Sequence, residues 1–249
     1  MSLPYETALV TGASRGIGAA ICRALAGAGV TVYALARTAP ALEALAADCG
    51  VVPVVADVRD TAAILAGLNG APVDILVNNA GGLATVKPLH EQTPEEVAET
   101  IALNLTAPLT LIRALLPGMI ARRRGHVFNI TSTAAHNVFP QTTAYGAAKA
   151  GLSQAGKVLR YDLAGSNVRL TELIPGRVQT DFYLQAFAGD AAALTAKMYA
   201  AQRALQPADI ADALMAALVL PAHVDLAQID ISPTDQAPGG HVYGTVAPD

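Results

Sequence analysis

The stretch Thr11-Gly12-Ala13-Ser14-Arg15-Gly16-Ile17-Gly18 follows the β-rich run Thr7–Thr11 and leads into a stretch rich in alanine and leucine. Its G-x-x-x-G-x-G spacing permits a tight turn, lets the backbone approach a pyrophosphate, and lets a helix pack closely on a strand. A helix that begins there offers free N–H groups and the positive end of its dipole to phosphate. A glycine cluster alone also fits an ordinary turn, but its place after the first strand favours a dinucleotide site.

β-rich runs alternate with helical stretches along the chain, and this alternation predicts the fold. Strands are expected at Thr7–Thr11, Thr31–Ala36, Val51–Ala56, Ile75–Asn78, His126–Thr131, Arg169–Ile174 and Gln228–Ile231. Helices are expected at Gly18–Ala28, Ala39–Cys49, Thr93–Ala121, Ala144–Ala164 and Pro207–Leu220, among others. The pattern predicts one α/β domain over residues 1–249, a Rossmann fold with a seven-stranded parallel sheet and helices on both faces. Residues 179–206 have no strand pattern and are expected to form one or two short helices, a substrate lid.

The composition limits the partners and the compartment that we expect. Hydrophobic residues make up 53% of the 249 residues, enough to bury a large core and to cover subunit contacts. A net charge of −4 without a long basic run argues against nucleic acid and anionic membranes as main partners. No secretory signal is visible, and the apolar stretch Ala213–Ala222 is too short to span a bilayer. Two cysteines without metal-ligand spacing suit a reducing compartment, so we expect a cytoplasmic protein without a metal site.

The end of the second strand indicates which dinucleotide would bind. An NAD site places an acid about 20 residues after the glycine turn, where it holds the ribose 2′-hydroxyl. This chain has Ala34-Leu35-Ala36-Arg37 there, and Arg15 supplies a second cation within the turn. Two guanidinium groups suit a 2′-phosphate, although both could also be solvated surface arginines. We therefore predict NADP(H) rather than NAD(H).

A tyrosine and a lysine on one predicted helix form a candidate acid/base pair. Tyr145 and Lys149 are four residues apart and share a helix face. A free phenol titrates near pH ~10, and a nearby ammonium lowers that pKa toward the range that general acid/base catalysis needs. The spacing alone is common in structural helices. Ser132, however, lies at the end of the strand His126–Thr131, at the sheet edge where ligands bind in such folds.

The motifs in this order resemble the short-chain dehydrogenase/reductase family in its form of roughly 250 residues, almost from end to end. The motifs that carry the resemblance are Thr11-Gly12-x-x-x-Gly16-x-Gly18, Asp57-Val58, Asn78-Asn79-Ala80-Gly81, Asn104, Ser132, Tyr145-x-x-x-Lys149 and Pro175-Gly176-x-Val178-x-Thr180. Departures are small: Thr131 stands where a serine often precedes the catalytic one, and Arg177 stands where many relatives have an apolar residue.

The resemblance implies four catalytic residues. Tyr145 would give a proton to the carbonyl oxygen in reduction, or take it from the alcohol in oxidation. Lys149 would bind the nicotinamide ribose and lower the tyrosine pKa, and Ser132 would orient the substrate oxygen. Asn104 would hold a water through its backbone carbonyl and so link Lys149 to solvent, although it could also be a polar residue that bends the helix.

The resemblance also implies the cofactor contacts. Asp57 would accept a hydrogen bond from the adenine amine, the stretch Asn78–Gly81 would line the adenine-ribose side, and Ile174 would join the sixth-strand motif around the nicotinamide. Asn78 and Asn79 could equally be scaffold, and Thr180 could equally cap the start of the lid. The full predicted set is Gly12, Ser14, Arg15, Gly16, Ile17, Gly18, Arg37, Asp57, Val58, Asn79, Ala80, Gly81, Tyr145, Lys149, Pro175, Gly176, Val178 and Thr180.

The substrate is expected to be a small or medium polar alcohol, because the candidate pocket residues are mostly apolar with one imidazole and one amide. They are Gly82, Leu83, His136, Phe139, Gln141, Phe182, Tyr183 and Phe187. His136 is expected to be a loop residue rather than a ligand, and Arg177 to face solvent rather than an anionic substrate. The tail from Leu220 to Gln236 looks like the endings of NADP-dependent 3-hydroxy acid and serine dehydrogenases.

Two other functions stay open. A 3-oxoacyl-thioester reductase needs a basic patch for an acyl carrier, which Arg122-Arg123-Arg124 could supply. A non-catalytic NADP(H) sensor has no use for a tuned phenol, so the set Asn104, Ser132, Tyr145 and Lys149 argues against it. Family members usually form homotetramers or homodimers through the long helices that correspond here to Thr93–Ala121 and Ala144–Ala164.

Overall fold

The computed structural model describes residues 3–187, 189–198 and 203–236, without the side chains at 185–187 and 197–198. The described residues form a seven-stranded, wholly parallel sheet in the order β3-β2-β1-β4-β5-β6-β7, which confirms the predicted fold. The strands are β1 Thr7–Thr11, β2 Thr31–Ala36, β3 Val52–Val55, β4 Ile75–Asn78, β5 Gly125–Ile130, β6 Val168–Pro175 and β7 Gln228–Ile231.

Helices cover both faces of the sheet because its central strands are apolar on both sides. They are α1 Gly16–Gly27, α2 Ala39–Cys49, α3 Thr61–Leu68, α4 Pro94–Ile101, α5 Ala107–Arg122, α6 Thr143–Asp162, α7 Ala191–Met198 and α8 Pro207–Leu218. One core cluster includes Val10 and Leu214, and the opposite cluster includes Leu9 and Leu111. Neighbouring β1 residues thus enter different cores, as the alternation of a strand requires.

The strand order places a crevice at the carboxyl edge of the sheet. β1 pairs with β2 on one side and with β4 on the other, so Val10 lies opposite both Ala34 and Val77. The connections that leave β1 and β4 therefore diverge to opposite sides. In open α/β sheets this reversal point is where ligands bind.

The predicted helix Thr93–Ala121 is present as α4 and α5 joined by a π-helical turn, Ala102–Thr106. A reciprocal pair of hydrogen bonds between Thr93 and Glu96 starts α4. The whole stretch, Pro94–Arg122, is long and apolar enough to cross a membrane by length and composition alone. Its buried residues Leu111 and Met119 pack in the core beneath the sheet, which accounts for part of that apolarity.

The predicted lid begins at the end of β6. Its described part contains a 3₁₀ helix, Asp181–Phe187, and α7, as the sequence predicts. A single parallel bridge pairs Val178 with Leu205, so the two ends of this insertion are joined. Residues 188 and 199–202 of the predicted lid lie outside the described residues.

Candidate active site

The glycine turn has a shape that side chains would prevent. Gly12 has φ +66°, and a Cβ there would lie 2.9 Å from the Cα of Ala80. A Cβ on Gly18 would lie 2.3 Å from the carbonyl oxygen of Gly12. The first helix can therefore approach the turn only because both positions are glycine. Gly18 thus serves the packing of α1 rather than a direct ligand contact.

Thr11 and Asn79 fasten the glycine turn to β4. The Thr11 hydroxyl accepts hydrogen bonds from the backbone N–H groups of Asn79 and Ala80, at 3.0 and 2.9 Å. The Asn79 amide donates to the carbonyls of Thr11 and Gly12. The side chain of Asn79 is therefore a brace, which agrees with the scaffold alternative. Asn78 likewise donates to Asn129 on β5.

A cleft of about 930 Å³ opens over the carboxyl edge of β1, β2 and β4. Twelve of the predicted cofactor residues line it, namely Gly12, Ser14, Arg15, Gly16, Ile17, Arg37, Asp57, Val58, Asn79, Ala80, Gly81 and Thr180. The lid residues Asp181, Phe182 and Leu184 line its outer side. The predicted pocket residues Gly82 and Leu83 also line it, so the cleft extends toward the substrate side.

The phosphate end of the cleft is positively charged and open. Among the described residues, no side chain caps the N-terminus of α1 and no acid lies in its first turn. Its N–H groups are thus available to a diphosphate. Arg15 and Arg37 are exposed at this end, and Arg15 lies 3.8 Å from Asp181 of the lid. The donors present fit the phosphates of NADP(H), including a 2′-phosphate between the two guanidinium groups.

An arginine that the sequence analysis did not identify holds Asp57. Arg59 donates to both carboxylate oxygens of Asp57, from Nε at 2.9 Å and Nη2 at 2.7 Å, and from its backbone N–H at 2.9 Å. The Arg59 side chain is the main cause that lowers the pKa of Asp57 to about 2. The acceptor expected for the adenine amine is thus kept ionised. Its place two residues after Asp57 was the available signal.

Ser132 and Tyr145 meet although they come from different elements. β5 ends at Ile130, and Ser132 begins the 3₁₀ turn Thr133–Ala135, where its Oγ accepts from the N–H of Ala134 at 3.1 Å. Tyr145 lies in the first turn of α6 and is buried. Burial, and next the phenol of Tyr183, raise the pKa of Tyr145, whereas a hydrogen bond with Ser132 lowers it. The two hydroxyls are therefore within reach of one substrate oxygen.

Lys149 lies one turn farther along α6, with only 4% of its surface exposed. Its Nζ donates to the carbonyl oxygen of Ile130 at 2.8 Å and lies 5.7 Å from the centre of the Tyr145 ring. Burial lowers the pKa of Lys149 to about 8, and the charge of Glu172 acts against that shift. An ammonium so close to the phenol favours the phenolate.

Asn104 occupies the π-helical turn and adjoins Lys149 through Gly81. Its side-chain amide donates to the carbonyls of Gly82 and Thr100, at 2.8 and 2.9 Å, and its Oδ1 accepts from the N–H of Gly82. A Cβ on Gly81 would lie 2.8 Å from Asn104 Oδ1 and 3.3 Å from Lys149 Nζ. π-Helical turns are often found at functional sites because they displace backbone groups from the regular ladder.

The lid covers the phenol of Tyr145. The ring of Phe182 lies 5.7 Å from that of Tyr145 and 5.0 Å from that of Tyr183. Phe182 also lines the cleft, so one side chain contacts both the cofactor region and the catalytic tyrosine. The side chain of the predicted pocket residue Phe187 lies outside the described part. Phe139 and Gln141 lie in the loop before α6, where Gln141 has φ +64°.

The turn after β6 is held from the C-terminal side. The backbone N–H groups of Gly176 and Arg177 donate to Ile231 and to the side chain of Gln236, at 2.7 and 2.8 Å. Val178 is buried at its bridge to Leu205. Thr180 accepts from the N–H of Phe182 at 3.3 Å and also lines the cleft, so the capping and cleft-lining alternatives both describe it. Pro175 ends β6, beside these residues.

His136 turns away from the position that a substrate ligand would need. Its Nε2 lies 3.5 Å from Oε1 of Glu172, a carboxyl group buried under α6. Arg177 is partly buried. Neither side chain belongs to the set that lines the cleft within the described residues.

The fold, the cleft and the tyrosine–lysine–serine cluster together define a class of protein. A family model for short chain dehydrogenases matches residues 6–191, and the chain belongs to that family. It is an NADP-dependent oxidoreductase that acts on CH–OH groups.

Relatives of this chain cover nearly its whole length. An uncharacterized short-chain type dehydrogenase/reductase of Sinorhizobium fredii is 42% identical over 236 residues, 95% of this chain and 94% of that protein. The NADP-dependent 3-hydroxy acid dehydrogenase of Escherichia coli is 37% identical over 240 residues, 93% of this chain and 96% of that protein. A closed form of serine dehydrogenase complexed with NADP⁺ is 35% identical, with a TM-score of 0.89 over 96% of this chain and 99% of that one.

Proposed function

We propose that the enzyme interconverts a secondary alcohol and a carbonyl on a small polar substrate, a hydroxy acid or an amino alcohol. Tyr145 is the acid/base, Lys149 tunes it, Ser132 orients the substrate oxygen, and Asn104 belongs to the proton route. The observation that carries this proposal is the position of the Ser132–Tyr145–Lys149 cluster beside a cleft that fits NADP(H). A sensor without catalysis would need no such cluster.

The residues of the site suggest how a proton moves. When bound, the nicotinamide supplies or accepts the hydride. In reduction, the buried and protonated Tyr145 Oη donates its proton to the carbonyl oxygen, which Ser132 Oγ holds by a hydrogen bond. In oxidation, the phenol takes that proton, and the Lys149 ammonium stabilises the phenolate. Phe182 excludes water from the phenol, which strengthens each of these electrostatic contacts.

The relatives support a hydroxy acid as the substrate class, because two of them are named for 3-hydroxy acids and for serine. The acyl-carrier alternative finds less support in the arginine run. Arg122 donates to the carbonyl of Val73, and Arg124 forms ion pairs with Glu6 and the buried Asp74. Two of the three arginines therefore serve the fold, and a docking patch would rest on Arg123.

We assign the subunit contact of a homotetramer or homodimer to the outer side of α5 and α6. A groove of about 530 Å³ lies between these helices. Its apolar lining includes Leu109, Leu116, Ile120, Val158 and Leu159. Exposed apolar surfaces of this kind mark protein contacts. We expect a cytoplasmic oligomer, and a monomer in sedimentation-velocity experiments at micromolar concentration would contradict this assignment.

The test of the function is a rate screen with NADP⁺ and NADPH. The substrates are hydroxy acids, amino alcohols, sugars and 3-oxo esters, and turnover is expected to be fastest within the first two classes. Tyr145→Phe is expected to lose 10²–10⁴-fold in turnover, roughly the usual share of a general acid/base, while it still binds NADPH. A Tyr145→Phe protein with native turnover, or no turnover of the native protein on any class, would overturn the proposal.

A further inference from the structure

A buried carboxylate behind the catalytic cluster joins four segments of the chain. Glu172 lies on β6 and is 3% exposed. Its Oε1 accepts from the hydroxyl of Thr131 at 2.6 Å. Its Oε2 accepts from Ser153 of α6 at 2.9 Å and from the Gln228 amide of β7 at 2.6 Å. His136, on the loop after Ser132, approaches Oε1 at 3.5 Å.

These partners are the supports of the catalytic residues. Thr131 directly precedes Ser132, and Ser153 lies one helical turn beyond Lys149 on α6. His136 belongs to the loop that leads from Ser132 to α6. One carboxylate thus connects the strand that presents the serine with the helix that presents the tyrosine and the lysine. Hydrogen bonds to a charged, desolvated acceptor are stronger than neutral ones, so this connection is stiff.

We infer that Glu172 is a positioning residue: its buried carboxylate fixes the Ser132 turn against α6 and supplies the counter-charge for the buried Lys149 ammonium. The inference deepens the proposed function and rests on it. Glu172 does not touch the cleft among the described residues, so it acts through Thr131, Ser153 and Lys149 rather than on a ligand.

The electrostatic part has a sign that can be worked out. The titratable groups facing Glu172 are Lys149 from α6 and His136 from the loop, whereas β5 and β7 present the neutral Thr131 and Gln228 among the described residues. Lys157 and Arg160 line the same groove farther along α6. A buried anion favours the protonated forms of its neighbours. Its removal therefore lowers both macroscopic pKa values of the coupled Tyr145–Lys149 pair.

The experiment compares Glu172→Gln with Ser153→Ala in alcohol oxidation by NADP⁺, with the fastest alcohol of the screen above. Glu172→Gln removes the charge at nearly constant shape, whereas Ser153→Ala removes one hydrogen bond and keeps the charge. We expect the pH–rate profile of Glu172→Gln to move about one unit toward acid, with a maximum lowered about tenfold. The Ser153→Ala profile should stay at the native pH, and the NADPH dissociation constant should not change in either variant.

Two outcomes would overturn the inference. One is a Glu172→Gln profile at the native pH. The other concerns Glu172→Asp, which keeps the charge, shortens the reach and remains informative if Glu172→Gln does not fold. It should lower the maximum without moving the profile, so native turnover in Glu172→Asp would exclude a positioning role. Tyr145→Phe separates the two proposals: its native turnover would refute the function itself, whereas a dead Tyr145→Phe beside a native-like Glu172→Gln refutes only this inference.

Discussion

The two ends of the site use charge in opposite ways. At the phosphate corner, formed by Arg15, Arg37, Asp57 and Arg59, the charged groups are at or near the surface, and the Arg15 side chain is 67% exposed. At the proton corner, formed by Ser132, Tyr145, Lys149 and Glu172, the charged groups are 4% exposed or less. Exposed charges can select a ligand at little cost to stability, because water solvates them when the ligand is absent. Buried charges shift the pKa values of their neighbours, and they cost stability to bury.

The largest effect is expected from Lys149→Met, which tests the buried side of this comparison. Turnover should fall about 10²–10⁴-fold, because the phenol loses its cation. Burial lowers the pKa of Lys149 to about 8, so between pH 8 and its unfolded value the unfolded chain holds a proton that the folded chain lacks. The stability penalty is therefore fully present below pH 8 and disappears as the pH rises through that window.

The same variant should thus gain stability at pH 7. The penalty removed is about 3 kcal/mol, and the Ile130 carbonyl left without its donor costs about 1–3 kcal/mol. The net gain should raise the melting temperature by about 2–4 °C per kcal/mol, measured by calorimetry beside the kinetics. A less stable protein that keeps its turnover would break the comparison at its buried end.

The second effect tests the exposed end through Arg37→Gln and its combination with Arg15→Gln. Each lost charge-assisted hydrogen bond to the 2′-phosphate should weaken NADPH binding about tenfold, and the pair about a hundredfold. NADH affinity and the melting temperature should stay native, since both side chains are exposed. Fluorescence titration with both cofactors measures this, and an equal loss for NADH would disprove the 2′-phosphate assignment.

The smallest effect concerns the contact between lid and turn. Asp181 lies 3.8 Å from Arg15, so Asp181→Asn should free that guanidinium and tighten NADPH binding about two- to fivefold, the size of a surface ion pair. Asp48→Asn breaks the similar exposed pair with Arg23 and serves as the control. NADH binding should respond to neither change. Tighter NADH binding in Asp181→Asn would point to a general charge effect instead of the Arg15 contact.

The fold could be predicted because its signals are local. Strand and helix patterns repeat every few residues, and the glycine turn, the Tyr145–Lys149 pair and Ser132 are each recognisable within a short segment. The π-helical turn at Ala102–Thr106 could not be predicted, because its residues have the same apolar pattern as the helix around them.

Contacts between distant segments could not be predicted from the sequence. The partners of Glu172 lie 41, 19 and 56 residues away, so no window of sequence shows them together. His136 was considered only as a loop residue or a ligand, and its approach to Glu172 depends on the turn of the loop. Thr131 was regarded as a minor departure, and its significance comes from the carboxylate across β6. Arg59 differs, since its neighbour Asp57 was in plain view.

Gly81 is the point at which the two corners share an atom-sized gap. The space that a Cβ would fill there is bounded by Asn104 Oδ1 and Lys149 Nζ, while the backbone of the same residue lines the cleft. The two corners are therefore not exchangeable modules. A cofactor half transplanted from another protein would have to bring a glycine at this position and a lysine of the same reach. Recombination of such enzymes is thus constrained at one residue that carries no functional group.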